Sequence, residues 1–145
     1  MSKSNATEND FVKFVFNAVA MPNYGASLQL NFHTADPGEA GTATTNEPTP
    51  TNYAPKTVSR DGAGWVICDS DGTPNANGSC AKNAAAVDFD EIESGFAGTE
   101  TWTHGSVSVV ATGQILYKGA LTQSIIVSAL ATPRFPAGTV LFRED

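Results

Sequence analysis

The stretch TWTHGSVSVVATGQILYKGAL, residues 101–121, gives the clearest indication of the fold. Polar and apolar residues alternate along its first half, and a second such run follows Gly113. Alternation is typical of strands that hold one face against a core, because successive side chains of a strand point to opposite faces. We therefore predict two short strands here, separated by a turn at Gly113.

Runs of the same kind continue through most of the chain. They are SLQLNFHT, YAPKTVSR, GWVICD, AAVDFDEI, QSIIVSAL and GTVLFRE. Turn residues separate them at close spacing, and no helical pattern stands between consecutive runs, which argues against a parallel βαβ sheet. The sequence therefore predicts a mainly β protein, a jelly-roll-like β-sandwich of about eight antiparallel strands.

One short helix is predicted ahead of the strands, in residues 7–20. Its apolar residues recur at the spacing of one helical face: Phe11, Phe14, Val15 and Ala18. Thr7 is available as the N-cap, and Pro22 and Gly25 end the helix. Aromatic and β-branched residues have weak helix propensity, so we expect this helix to depend on a partner surface.

A chain of 145 residues suits a single domain. We divide it into an N-terminal helical segment, residues 1–22, and a β-sandwich, residues 27–145. Within the sandwich, residues 35–52 and 69–83 are too long and too polar for tight turns, and such loops are usually functional. Their Gly, Thr, Asn and Pro content predicts segments that stay extended and order against a partner.

The charge and composition of the chain limit its partners. Eight basic residues stand against fifteen acidic ones, a net charge of −7, so we expect no direct contact with nucleic acid. No apolar run approaches the ~20 residues of a membrane helix, and the acidic start is unlike a secretory signal. We therefore expect no membrane contact, synthesis in a cytosol, and reduced thiols rather than a disulfide at Cys68 and Cys80.

His33 stands near Asp36 and Glu39, a combination that suggests a catalytic or metal site. No second histidine lies at ligand spacing, since His104 is far along the chain. The SLQLNFHT run alternates between a core face (Leu28, Leu30, Phe32) and an outward face (Gln29, Asn31, His33). We therefore predict an exposed histidine at a strand end, followed by an Asp-Pro-Gly turn.

Two groups of acidic residues are further candidate sites. Asp69 and Asp71 begin like a calcium loop, but Gly72 comes too early and no closing Glu follows, so an Asx-rich turn is predicted. The second group has the residue types of paired glycosidase carboxylates: Asp88, Asp90, Glu91 and Glu93. Alternation along a strand places its two aspartates on one face, which favours a charged outer surface.

No spacing in the chain assembles a nucleophile with its base, or a phosphate loop. The sequence therefore predicts no catalysis, no cofactor and no metal. Trp65, Trp102 and Tyr117 are able to stack on sugars, although aromatic residues of alternating strands more often fill a core. A tail-associated module that binds a receptor or glycan is accordingly the alternative to a purely structural role.

The succession of motifs resembles that of a family of small virion proteins of tailed phages. A short N-terminal helix is followed by LQLNFHTADPGEAG, NYA, GWVI, NAAAVDF, WTHGSV, GQILYKGAL and TPRFPAGTVLFRED. The resemblance covers nearly the whole chain, which departs from the pattern in a longer CDSDGTPNANGSC insertion. Members often carry the label of tail fibre protein, and the compact form resembles the jelly-roll cement, or decoration, proteins on the outside of phage heads.

The resemblance implies a non-enzymatic structural protein of a bacteriophage, made in the host cytoplasm and placed on the outer surface of the capsid. As a cement it would bridge neighbouring subunits of its partner, the major capsid protein. Apolar groups on most sides of the helix predict self-association, as a homodimer first and a trimer second. The residues predicted to lie at protein interfaces are Phe11, Phe14, Val15, Phe16, Asp36, Pro37, Glu39 and Tyr53.

Overall fold

The computed structural model describes residues 2–143, which form one helix and ten strands. In chain order these are β1 (Ser2–Lys3), α1 (Asn5–Asn17), β2 (Ser27–His33), β3 (Lys56–Ser59), β4 (Trp65–Cys68), β5 (Cys80–Asn83), β6 (Val87–Asp88), β7 (Glu100–Val109), β8 (Ile115–Val127), β9 (Arg134–Phe135) and β10 (Leu141–Arg143). No helix in this described range is long and apolar enough to cross a membrane.

The strands form three antiparallel sheets. The largest has the order β1-β8-β7-β2-β3, the second has the order β10-β5-β4, and the third is the pair β6-β9. The predicted turn between β7 and β8 contains Gly113 with a φ of 69°, a conformation that favours glycine because residues with a Cβ are strained there. The predicted fold class, a mainly β-sandwich with one short helix, is confirmed.

Strand β8 corrects the prediction of two separate strands in QILYKGAL and QSIIVSAL. The pairing with β7 continues past Gly119, which lies opposite Gly105, as far as Val127. Gly119 is therefore inside one long strand. Close packing explains the glycine on the other strand, because a Cβ at Gly105 would lie 3.3 Å from the ring of Phe135.

The hydrophobic core lies between the five-stranded sheet and the two smaller sheets. Phe32 on β2 is fully buried at its centre, and the ring centroids of Phe89, Trp102 and Phe135 lie 4.6, 5.0 and 4.3 Å from its own. The hydroxyl of Tyr53 accepts a hydrogen bond from the backbone N–H of Phe32 at 2.8 Å. Burial raises the pKa of Tyr53, so this hydroxyl stays protonated.

The opposite face of the five-stranded sheet is also buried, which corrects the prediction of an outward face on β2. Asn31 and His33 on β2 are 0 % exposed, and Ser106 on β7 is 1 % exposed. The predicted exposed histidine is therefore wrong. Alternation separates the two faces of a strand, but it cannot tell whether another segment covers the polar face.

Helix α1 begins and ends earlier than predicted. Ser4, and not Thr7, is the N-cap, and its side chain accepts a hydrogen bond from the Thr7 backbone N–H at 3.4 Å. The helix ends at Asn17, because Ala18 takes the left-handed conformation with a φ of 54°. Pro22 thus lies well beyond the end of the helix.

The predicted loop at residues 69–83 is shorter in the structure, because β5 begins at Cys80 and forms a hairpin with β4. The predicted Asx turn is present, with the Asp71 carboxylate accepting a hydrogen bond from the Thr73 backbone N–H at 2.8 Å. Cys68 and Cys80 lie opposite each other with Cα atoms 4.9 Å apart and form a disulfide. The predicted reduced thiols are therefore wrong, since strand register, which sequence spacing does not reveal, brings the two sulfurs together.

We expect Phe32→Ala to lower the free energy of unfolding by about 3–5 kcal/mol, because removal of the ring leaves a cavity among three aromatic neighbours. Equilibrium urea unfolding measures this change. The control is Ile126→Ala, since Ile126 on β8 is 69 % exposed, and its effect should stay below roughly 0.5 kcal/mol. Similar losses in the two variants would contradict the central position of Phe32.

Loss of the disulfide should also destabilise the fold. Replacement of both Cys68 and Cys80 by Ala removes a constraint on the unfolded chain, for which about 2–4 kcal/mol is typical. Urea unfolding of the oxidised protein, the reduced protein and the double variant measures the loss. The reduced protein should resemble the double variant, and unfolding midpoints that do not respond to reductant would refute a stabilising role.

Candidate functional site, an exposed helix beside a clamped arm

Helix α1 is attached to the sandwich mainly through its first turn. The hydroxyls of Ser4 and Thr7 both donate to the backbone carbonyl of Ile115 on β8, that of Thr7 at 3.2 Å. Both side chains are buried, at 2 % and 7 % exposure. Two hydroxyl residues three positions apart meet the same carbonyl because they lie on one side of the first helical turn.

Asp10 adds a tether one turn further along the helix. Its carboxylate accepts hydrogen bonds from Gln114 Nε2 at 3.1 Å and from the Tyr24 hydroxyl at 3.3 Å. Burial, and after it the charge of Asp10, raises the pKa of Tyr24, so this hydroxyl remains a donor. The helix is therefore held at its N-terminal half.

The remainder of the helix and the three residues after it stand in solvent, since every residue from 11 to 20 is exposed. The exposed fractions of the large apolar residues are Phe11 51 %, Val12 51 %, Phe14 50 %, Val15 48 %, Phe16 79 % and Val19 49 %. We call these six residues the α1 surface. They expose on the order of 500 Å² of apolar area, as much as the largest patch of a typical monomer, and such patches are commonly contact sites.

The arm, residues 35–52, crosses the polar face of the five-stranded sheet and begins at an ion-pair clamp. Lys118 on β8 is 6 % exposed, and its ammonium lies 2.8 Å from Glu39 and 3.0 Å from Asp36. The hydrogen bond to Glu39 raises the pKa of Lys118 in spite of burial, and the bond to Asp36 adds to it. The backbone N–H of Gly38, and then Lys118, lower the pKa of Asp36, so the pair stays charged at neutral pH.

His33 holds the middle of the arm. Its Nδ1 lies 2.8 Å from the carbonyl oxygen of Thr45, and its Nε2 lies 2.7 Å from Ser106 Oγ. A carbonyl only accepts, so Nδ1 donates to Thr45 and the neutral Nε2 accepts from the Ser106 hydroxyl. Burial lowers the pKa of His33, which keeps the imidazole neutral at pH 7.

Asn31 completes this buried polar layer. Its Nδ2 donates to Ser106 Oγ at 3.2 Å and to Ser108 Oγ at 2.9 Å. A serine hydroxyl beside a histidine has the chemistry of an activated nucleophile. Here Ser106 is 1 % exposed between sheet and arm, so in this arrangement the Ser–His pair fastens the arm and is closed to a substrate.

The prediction that the arm stays extended until it meets a partner is wrong for the folded chain. Its later part is held by two carboxylates, with the Thr49 backbone N–H donating to Glu100 at 3.1 Å and the Thr51 backbone N–H donating to Glu93 at 2.7 Å. Composition describes a flexible segment, whereas the buried polar groups of the sheet and these carboxylates decide where it lies.

The eight predicted interface residues fall into two groups. Phe11, Phe14, Val15 and Phe16 all belong to the α1 surface. Asp36 and Glu39 are exposed but ion-paired with Lys118, Pro37 is buried, and the ring of Tyr53 packs against Trp102 in the core. The interface role of all eight stays a prediction, and the second group is already engaged within its own chain.

The acidic candidate residues also take part in the fold. Asp88 pairs with Arg134 at 3.0 Å and Asp90 pairs with Lys56 at 2.7 Å, and both aspartate side chains are more than half exposed. Both aspartates are thus on a charged outer surface as predicted, but Asp90 lies beyond β6, so strand alternation does not account for it. Among residues 2–143, no group of three or more His, Cys, Asp or Glu side chains is placed to hold a metal ion.

A second feature, an apolar pocket, opens between the sheets close to the attachment of α1. Its volume is about 520 Å³, and its walls include Trp65 on β4, Tyr117 on β8 and Phe142 on β10. The ring of Phe142 lies 5.6 Å from that of Trp65 and 5.0 Å from that of Tyr117. Sequence reasoning missed this pocket, because its walls come from strands that are far apart along the chain.

Fold and site together define a β-sandwich protein that presents an apolar helix and an apolar pocket at its surface. The family model described as "Podophage GP4 fiber I protein gp80" matches residues 2–143. The chain belongs to this family, and it is a structural protein of a phage virion. The resemblance to virion proteins of tailed phages is confirmed at this level. A search of the curated proteins found no match.

Mild acid should weaken the folded state through His33. The lowered pKa of the buried imidazole lies below its unfolded value of about 6.5, so the unfolded chain takes up a proton first. The free energy of unfolding should therefore fall as the pH drops below about 6.5, and level off once His33 is protonated in the folded chain. Urea unfolding between about pH 7.5 and pH 5.5 measures the slope.

Matched variants assign this slope to one histidine. His33→Gln should lose most of the pH dependence of the free energy of unfolding, whereas His104→Gln should keep most of it, because burial is the main cause that lowers the pKa of His33. An unchanged slope in His33→Gln would show that another group is responsible for the pH dependence.

Proposed function

We propose that the chain is a non-catalytic structural subunit at the surface of the virion, and that its α1 surface joins it to another protein subunit. The observation that carries this proposal is the exposure of six large apolar residues, five on helix α1 and Val19 just beyond it, while the hydrogen bonds that hold the helix lie in its N-terminal half. Burial of apolar area is the main favourable term in protein association. A virion protein meets its partners at high local concentration, so an uncovered helix suits assembly.

A tail fibre subunit is the first candidate for its place on the virion. The description of the matched family, a podophage fibre protein, supports this role. The architecture is compatible with this role, because the proposed attachment surface lies on helix α1 and is distinct from the surface of the sandwich. Fibre function on a tail includes contact with a host receptor, which the sandwich surface would make.

A capsid cement, or decoration, protein is the second candidate. The shape supports it, since residues 2–143 fold into a sandwich and do not form a repeated shaft. Such a unit would lie on the outer surface of the mature head and bridge neighbouring major capsid subunits. Because it would bind the assembled lattice and not separated subunits, it would stabilise the head by mass action.

The structure argues against the hypothesis that Trp65, Trp102 and Tyr117 bind a receptor by stacking on its sugars. Trp102 is 0 % exposed and is therefore closed to a glycan. Trp65 and Tyr117 line a pocket whose walls are mainly apolar, whereas sugar hydroxyls need hydrogen-bond partners. A receptor site, if this chain carries one, would use the polar outer surface.

The test is binding of the purified full chain to separate parts of the parent phage. Bare expanded heads and purified tails are each mixed with the chain and sedimented, and bound chain is quantified against the major capsid protein or a tail protein. Saturation on tails at a fixed ratio supports the fibre role, and saturation on heads supports the cement role. Binding to neither part would refute the proposal.

A variant pair links the result to the helix. Phe14→Asp places a charge on the α1 surface and should weaken binding at least about tenfold, as expected for a buried aromatic contact. Ile126→Asp, at an exposed apolar position of β8, should bind like the original chain. If both variants bind as tightly as the original chain, the α1 surface is not the site of attachment to the virion.

A further inference from the structure

The attachment of α1 and the apolar pocket both involve the start of β8. The helix is anchored at the carbonyl of Ile115, and Asp10 is tied to Gln114. The pocket wall includes Leu116 and Tyr117, the next two residues of β8. The attachment of α1 and part of the pocket wall therefore lie on neighbouring residues at the start of β8.

The two features do not fill each other within one chain. The described residues that line the pocket belong to strands and loops of the sandwich, and none belongs to α1. Phe16, near the free end of the helix, is 79 % exposed. The molecule thus carries exposed aromatic side chains on α1 and an aromatic pocket that α1 of the same chain does not fill.

We propose that the pocket of one copy receives the aromatic side chains of α1 from a second copy, with Phe16 entering first. This inference rests on the proposed function, in which the α1 surface joins subunits, and it names the partner. The space is sufficient, because an engineered cavity of about 150 Å³ already holds benzene, whereas this pocket measures about 520 Å³. Phe142 makes tilted ring contacts with Trp65 and Tyr117, so an entering phenylalanine would meet an aromatic wall.

The available area supports a second copy as the occupant. A stable protein interface buries about 800 Å² on each partner. The α1 surface supplies on the order of 500 Å² of this, and the pocket wall that the helix would enter adds to the area. In a two-fold dimer the helix of each subunit would enter the pocket of the other. Both helices and both pockets would then be buried in one interface.

Charge near the contact permits this pairing. Helix α1 carries Glu8, Asp10 and Lys13, and the pocket is lined by one residue of each sign, Arg60 and Asp61. The contact is therefore close to balanced, although each chain has a net charge of −7. Salt screens the repulsion between the two chains, so association should become tighter as ionic strength rises.

Sedimentation equilibrium of the full chain across the micromolar range tests the inference. The expected mass is twice the 15.1 kDa of one chain. Phe16→Asp on the helix and Ile67→Asp at the pocket should each weaken association at least about tenfold, and both positions are exposed enough to leave the fold intact. Ile126→Asp is the matched control and should associate like the original chain.

Tryptophan fluorescence locates the contact independently. Trp102 is 0 % exposed, so a change in acrylamide quenching with concentration reports on Trp65 in the pocket. Quenching should fall as the original chain associates, and it should stay at its dilute value in Phe16→Asp. A monomer throughout the range, or association that neither Phe16→Asp nor Ile67→Asp weakens, would overturn the inference.

The two proposals fail in different ways. A monomeric chain that still saturates tails or heads overturns the helix-in-pocket contact and leaves the structural function standing. A dimer with the expected response to both variants that binds no part of the virion overturns the proposed function and leaves the contact standing.

Discussion

The pairing of β2 with β7 places two buried layers on opposite sides of one sheet. Its register sets Leu30 opposite Val107 on the core side and Asn31 opposite Ser106 on the other side. A slip of one residue would exchange the two sets of side chains, and the polar groups would then lack partners inside an aromatic core. The smaller sheets on one side and the arm on the other both depend on this ladder.

The contrast between the sandwich and α1 connects the structure to its role. The sandwich encloses its aromatic cluster and covers even its polar face, with His33 and Lys118 each paired to the arm. The helix leaves its apolar residues in solvent beyond a short anchored base. A folded domain with a rigid interior and one uncovered apolar projection is suited to building an assembly, which agrees with membership in a family of phage virion proteins.

Sequence patterns predicted the parts of this architecture that depend on local chemistry. The alternation around Phe32 and Val107 identified strands and core faces, and the apolar spacing at Phe11 and Phe14 identified a helix. The patterns failed where distant segments meet. The burial of His33 depends on an arm that folds back, and the disulfide depends on the β4-β5 register.

The sequence by itself determined the mainly β class, the single short helix and the apolar character of that helix, because strand and helix periodicity and side-chain polarity are properties of neighbouring residues. Only the tertiary structure decided which apolar residues stay uncovered, where the arm lies, and that Trp65, Tyr117 and Phe142 enclose a pocket. These outcomes are contacts between segments far apart in the chain. Their geometry exists only when the sheets have packed, and for that reason no local pattern contains it.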